Sequence, residues 1–132
     1  MLDVKVRAKT ASRFQRVAKR AKQRSSENLG HAGAAIRLTA RRSVRKRKGR
    51  SPAGTPPHTH TRRLPRAIKY AVEKAHSVVV VGPDVESFGT AGAAHEHGGE
   101  FRGEHYQRRP FMGPALEKTK DRLPRLWAGS VR

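Results

Sequence analysis

Residues 91–118, AGAAHEHGGEFRGEHYQRRPFMGPALEK, decide how the second half of this chain folds. Pro110 and Pro114 are excluded from a helix interior but suit a lead-in turn, with Pro114 at or near the first helical position. Phe111 and Met112 are the large apolar pair at that turn. With Leu116 they are expected to pack against a strand of valines and anchor the turn to a core. Beyond it, Ala115, Leu116, Thr119, Leu123, Leu126 and Trp127 give one apolar face to a helix running to about Ala128, which Pro124 must kink or end. Upstream, Ala91–His97 reads as a short helix or a bent strand, and 98–109 as a polar loop. Gly98 and Gly99 suit a sharp turn, because glycine tolerates positive φ and close backbone approach. Across that turn Glu96 either pairs with Arg108 or Arg109 or remains a solvated acid.

Moving toward the N-terminus, Ile68, Tyr70 and Val72 alternate along 67–74, and Val78–Val81 is a four-valine run that suits a buried strand. The short connection between them predicts an antiparallel hairpin, closed by a turn at Gly82-Pro83-Asp84 and followed by loop over 84–92. Residues 49–66, GRSPAGTPPHTHTRRLPR, form a Pro/Gly-rich loop. With almost no apolar residues, it is expected to order only within an assembly. Phe14, Val17, Ala18, Ala21, Leu29, Ala32, Ile36, Ala40 and Val44 recur at three- and four-residue steps, weakening near Ser25. They predict a long helix over about 11–47, capped by Thr10 or Ser12. Gly30 and Gly33 mark a kink or a close approach by another element. Leu2, Val4 and Val6 alternate with charges, as in a short strand. The expected class is α+β: an N-terminal strand and long basic helix, a small mostly antiparallel sheet and a C-terminal helix.

The 132 residues are one domain's worth, and an apolar content of 35% lets a compact core use only part of the chain. The absence of cysteine excludes disulfides, thiolate metal sites and cysteine nucleophiles. No apolar run approaches a membrane span, and the alternating first residues lack a signal-peptide core. The net charge of +20 is lopsided. Residues 1–66 hold 20 Lys/Arg against Asp3 and Glu27, net +18, while 67–132 hold 10 against 8 acids, net +2. So basic a half favours a polyanion, either nucleic acid or the acidic surface of a protein neighbour. The densest run is 41–50, RRSVRKRKGR, whose Arg41, Arg42, Arg45, Lys46, Arg47, Lys48 and Arg50 are the candidate polyanion-facing residues. Base readout is not expected, since no recognition-helix motif is present and aromatic residues are 5% of the chain.

Catalytic and metal chemistry find little support in the sequence. His58 and His60, and the group His95, Glu96, His97, Glu100 and His105, offer nitrogen and oxygen ligands at short spacing. His95-Glu96-His97 lacks the His-Glu-x-x-His spacing of a zincin. Asp84, Glu86, Glu96, Glu100 and Glu104 could serve a metal-dependent nuclease only if gathered round an ion, and they follow no nuclease pattern. There is no phosphate-binding Gly-rich loop and no nucleophile elbow. We expect no enzyme, no metal and no cofactor.

The order His-Glu-x-Gly-Gly, spacer, Arg-Pro-Phe-Met-x-Pro-Ala-Leu resembles the tail-completion (head–tail joining, minor tail protein Z-like) family of long-tailed bacteriophages. There a small-residue run leads to (H/Y)xE(F/H)G(G/T), and a spacer to RPF(M/L)xPAL. Residues 51–72, SPAGTPPHTHTRRLPRAIKYAV, resemble the family's Pro/Gly-rich segment, leucine and Ile-x-Tyr strand. Residues 1–48 fit in outline. Where the family usually has Thr-Gly-Arg-Leu, this chain has Thr61-Arg62-Arg63-Leu64, so Arg62 stands in the glycine's place. The resemblance implies a virion protein assembled in the host cytoplasm, forming a ring, hexameric by the tail's symmetry, round the DNA channel. Its neighbours would be neck and tail-terminator or tail-tube proteins. It also carries no metal role for the acidic and glycine residues. Glu96, Gly98, Gly99, Arg109, Pro110, Phe111, Met112 and Pro114 are the candidate turn or subunit-interface residues. The alternative from charge alone is a free-standing basic nucleic-acid-binding protein.

Overall fold

The computed structural model describes residues 2–130, with side chains described for 13–100 and 102–130. The elements in order are α1 (Leu2–Ser43), α2 (Arg63–Ala67), β1 (Ile68–Glu73), β2 (Val78–Pro83), α3 (Val85–Phe88), α4 (Ala91–His97), β3 (Gly99–Phe101), β4 (Glu104–Tyr106) and α5 (Met112–Thr119). A 3₁₀ segment, Lys120–Leu126, follows α5. The fold is mixed α and β: a long N-terminal helix, two small antiparallel sheets and a C-terminal helix.

The backbone is already helical from Leu2, so the N-terminal strand is absent and neither Thr10 nor Ser12 stands at a cap. Three alternating apolar residues cannot specify a strand without a partner, whereas extending a formed helix avoids the cost of nucleation. α1 spans on the order of 60 Å at 1.5 Å per residue. Only its second half lies on the core. Ala32, Ile36 and Ala40 are buried on one stripe, with Val44 just beyond the helix end, while Phe14 is 76% exposed. The break near Ser25 has a structural counterpart. Trp127 Nε1 donates to Ser25 Oγ at 3.3 Å and Asn28 Nδ2 to Ser130 Oγ at 3.4 Å, so the C-terminal segment returns across α1 there.

β1 and β2 form the expected antiparallel hairpin, with Tyr70 opposite Val81 and Val72 opposite Val79. Its inner face lies on α1 at Gly33. A Cβ there would come within 2.6 Å of Val79 Cγ2 and 2.8 Å of Tyr70 Cδ2, so the glycine marks a close approach. Arg37 stacks over the Tyr70 ring, 4.9 Å from its centre. The valine run is not a fully buried strand. A two-stranded sheet with a helix on one side has one covered face, and side chains alternate between faces. Val79 and Val81 are therefore half-buried, while Val78 and Val80 are exposed, Val80 by 59%.

The core gathers Ile36, Ala40, Val44, Leu64, Ile68, Phe111 and Ala115, with Val81, Phe88, Met112 and Leu123 packed against it. Phe111 is wholly buried, as expected. Leu116 is not: it is 46% exposed. On α5 burial recurs at 111, 115 and 119, and Leu116 lies about 100° round the helix from Ala115. Three segments read as loop contain short elements: α3 in 84–92, the β3–β4 hairpin in 98–109 and α2 in 49–66. α3 forms because Asp84 caps it, accepting from the Glu86 N–H at 3.3 Å. Lys69 binds the other carboxylate oxygen at 2.6 Å, and Ser87 joins it. Chiefly through those two bonds, the Asp84 carboxyl is held below the usual range.

The Pro/Gly-rich loop is tied down within one chain, contrary to the expectation that it orders only in an assembly. Ser51, Pro57 and Thr59 are buried, and Thr59 pairs with Lys46 in an isolated parallel bridge. The Thr59 N–H donates to the Arg45 carbonyl at 3.0 Å and the Gly54 N–H to the Arg108 carbonyl at 2.9 Å. Polar anchors thus replace the apolar residues that the segment lacks. Hydrogen exchange on the isolated chain should show protected amides at Gly54 and Thr59. Free exchange at both would detach the loop from the fold.

The loop ends at the departure from Thr-Gly-Arg-Leu. Arg62 adopts φ 59° and ψ 16°, the left-handed conformation that glycine enters without penalty. Its N–H is held by Thr59 Oγ1 at 3.1 Å. A side chain in this region costs about 1–2 kcal/mol. Arg62→Gly is therefore expected to be neutral or stabilising by up to about 1 kcal/mol, the gain being offset by glycine's greater freedom when unfolded. Clear destabilisation in a urea melt would contradict this account of the turn.

Candidate functional site

α4 is built from small residues and ends at Gly98, whose φ of 69° turns the chain into the second hairpin. A Cβ at Gly98 would lie 3.1 Å from both Arg108 N and Tyr106 O, so a side chain there would have to push the outgoing segment back by a few tenths of an ångström. Gly99 follows at φ 112°. The close pass lets the two segments bond along their backbones, with the Arg109 N–H donating to the His95 carbonyl at 2.7 Å. The arginines extend this stitching. Arg108 Nε donates to the Glu96 carbonyl at 3.1 Å, and Arg109 Nε to the Ser51 carbonyl at 2.9 Å, reaching the Pro/Gly-rich loop.

Pro110 is buried behind this pair and leads into α5, which has Phe111 at its N-cap and so no polar side chain of its own there. Glu96 supplies the cap from α4. One carboxylate oxygen accepts the N–H groups of Phe111 and Met112, at 2.8 and 2.9 Å, and the other accepts that of Gly113 at 2.8 Å. A helix start leaves four N–H groups without intrahelical partners. Here the fourth residue is Pro114, which has none, so Glu96 satisfies the whole set. A negative charge also suits the positive end of the helix dipole. Glu96 thus neither pairs with Arg108 or Arg109 nor stands as a free solvated acid. Burial acts to raise its pKa, but the three N–H donors and neighbouring His97 outweigh burial and bring it below the usual value. His95, half-buried beside Arg109, is pushed down, first by burial and then by that charge.

The structure therefore brings Glu96, Gly98, Arg109, Pro110, Phe111, Met112 and Pro114 into one junction, with Gly99 at its turn. The basic run lies at the end of α1 and just beyond it. Arg42, Arg45, Lys46, Arg47, Lys48 and Arg50 are exposed. Arg41 stands apart, half-buried, its Nη2 donating to the Ile68 carbonyl at 2.8 Å. Among the described residues no three of His, Asp and Glu are placed to hold a metal ion, and no helix is long and apolar enough to cross a membrane.

The capping role of Glu96 was not read from the sequence, although a signal existed. The lead-in to α5 reads Pro110-Phe111-Met112, with no Ser, Thr, Asp or Asn to cap the helix, while Pro114 removes one donor. Such a start calls for an acceptor from elsewhere, and Glu96 and Glu100 are the acids flanking the Gly98-Gly99 turn. Comparison with protein-family models, with curated proteins and with solved structures finds no match.

Proposed function

We propose that this chain is a structural virion protein of the phage head–tail junction, a tail-completion component that forms a ring round the DNA channel and joins tail to head. The observation that carries the reading is the Glu96 clasp. The two sequence segments of the resemblance, His-Glu-x-Gly-Gly and Arg-Pro-Phe-Met-x-Pro-Ala-Leu, meet through three hydrogen bonds from the acid of one to the backbone of the other. The resembled pattern therefore has a structural reason in this chain. The left-handed Arg62 supports it further, since the backbone there keeps the form open to the family's glycine.

The surface suits assembly. Phe14 and Val17 on α1, and Val78 and Val80 on the hairpin, are exposed apolar side chains. Both sheets have two strands, so each has open edges among the described residues. Head-to-tail contacts between copies close into a ring when the rotation per subunit divides a full turn. The role is one of docking, without catalysis or cofactor, and its partners are further copies and the adjoining neck and tail proteins.

Cryo-electron microscopy of particles tests the proposal: density for this chain in a ring at the neck is expected. A monomer or dimer absent from particles, binding duplex with a steep salt dependence, would favour the free-standing nucleic-acid binder instead. The exposed basic run is assigned to genome DNA or an acidic neighbouring ring. Changing Arg45, Lys46, Arg47 and Lys48 together to glutamine should reduce assembly or genome retention while leaving the fold intact. Wild-type assembly and retention at physiological salt would reduce the run to a solvated face.

A further inference from the structure

A cavity of about 380 Å³ opens between the Pro/Gly-rich loop, α4 and β4. The share of one water in the liquid is about 30 Å³, so the space holds a small polyatomic ion with its water. Its walls bring together residues from four parts of the chain: Arg50, His58 and His60 from the loop, His95 from α4, His105 from β4 and Arg109 from the segment between β4 and α5. Tyr106 is the other titratable residue on the wall, and none of the described lining residues is acidic. Glu96, next to His95, is engaged at the start of α5.

The donors on these walls are available in part. His58 Nδ1 lies 3.3 Å from the Gly49 carbonyl, which can only accept, so a hydrogen bond there needs the proton on Nδ1. The neutral ring therefore presents Nε2 as an acceptor, and the protonated ring presents it as a donor. Arg109 uses Nε and Nη1 on the Ser51 and Gln107 carbonyls, and its Nη2 makes no hydrogen bond among the described residues. Ser51 is 3% exposed and contributes to the same wall, with its hydroxyl oxygen closed off from solvent.

We propose that this cavity binds a phosphate-class oxyanion. Arg50 and Arg109 supply permanent charge, and His58, His60, His95 and His105 each gain a second N–H donor and a positive charge on protonation. A cation meets the opposite conditions, with two guanidinium groups and no carboxylate on the walls. The depressed basicity of His95, caused by burial and Arg109, is what a bound anion would reverse. Binding and protonation are therefore linked. For each proton taken up with the anion, affinity should rise about tenfold per pH unit of acidification. The site is complete within one chain, so it stands apart from the assembly reading.

The test is a titration of the full chain with inorganic phosphate, followed by NMR of the histidine side chains between about pH 5.5 and 8. Saturable shifts of His58, His95 and His105, a raised His95 pKa and tighter binding at the acid end are expected. Sodium chloride at equal ionic strength should not reproduce them. The Arg50→Gln/His105→Gln variant changes two exposed side chains and should keep its circular dichroism while binding at least about tenfold more weakly. Equal shifts with chloride, unchanged binding in that variant, or zinc binding there in preference to phosphate would each overturn the proposal. A short DNA duplex added to the phosphate complex identifies the source of the oxyanion. Displacement of phosphate assigns the site to backbone phosphodiesters, and no displacement assigns it to a free phosphate.

Discussion

Replacing Phe111 by alanine is expected to destabilise the chain by about 3–5 kcal/mol. The ring is wholly buried among residues of α1, α2, β1 and α5, so its loss opens a cavity where all of them meet. A domain of this size has only about 5–15 kcal/mol of stability to lose. Urea melts of the two proteins would measure the difference. Leu116→Ala is the internal control, because that side chain is 46% exposed and its loss should cost no more than about 1 kcal/mol. Equal losses for the two variants, or a loss below about 1 kcal/mol for Phe111→Ala, would mean that the turn is not the anchor of the core.

Glu96→Ala is the second large effect, at about 2 kcal/mol. It leaves the N–H groups of Phe111, Met112 and Gly113 without their acceptor, and those of Phe111 and Met112 are part-buried. Glu96→Gln keeps one oxygen but turns an NH₂ toward a donor, so it should recover only part of the loss. The pH dependence has a definite sign. The folded pKa of Glu96 lies below its unfolded value, so the cap contributes fully above about pH 4.3 and is lost as pH falls through the folded pKa. The gap between wild type and Glu96→Ala should therefore close in acid. His95 acts in the same direction at higher pH. Its folded pKa is also depressed, so its contribution fades as pH falls below about 6.5. A gap that persists unchanged in acid would show that the carboxylate charge is not what holds α5.

The legible parts of the fold were those written in local periodicity. Ile68, Tyr70 and Val72 fixed the inner face of the hairpin, and Ala32, Ile36 and Ala40 fixed the buried stripe of α1. Phe111 was legible as the anchor because two prolines isolate an apolar pair in a polar stretch. Other features depended on pairings distant in sequence. The valine run looks buried on composition, but its outer half is exposed because only α1 covers the sheet. The loop read over 49–66 looks unheld because its ties are backbone groups of Arg45 and Arg108 and the side chain of Arg109. Glu96 read as either an ion-pair partner or a solvated acid, since a sequence displays charges but not the N–H groups at the start of a helix. The junction residues were grouped in the sequence as turn or subunit-interface residues, and within one chain a carboxylate on backbone N–H groups joins them.

The clasp also dictates an order of events in time. An eight-residue helix is well below the roughly 12–15 residues needed to persist alone in water. α5 must therefore wait for α4 to dock and for the chain between Glu96 and Phe111 to close, at an entropic cost that precedes any gain from the cap. Contacts formed after the rate-limiting step affect the reverse rate alone. We expect the clasp to close after the rate-limiting step, so that Glu96→Ala speeds unfolding and leaves refolding almost unchanged, and a slowed folding arm in a chevron would show that it closes earlier.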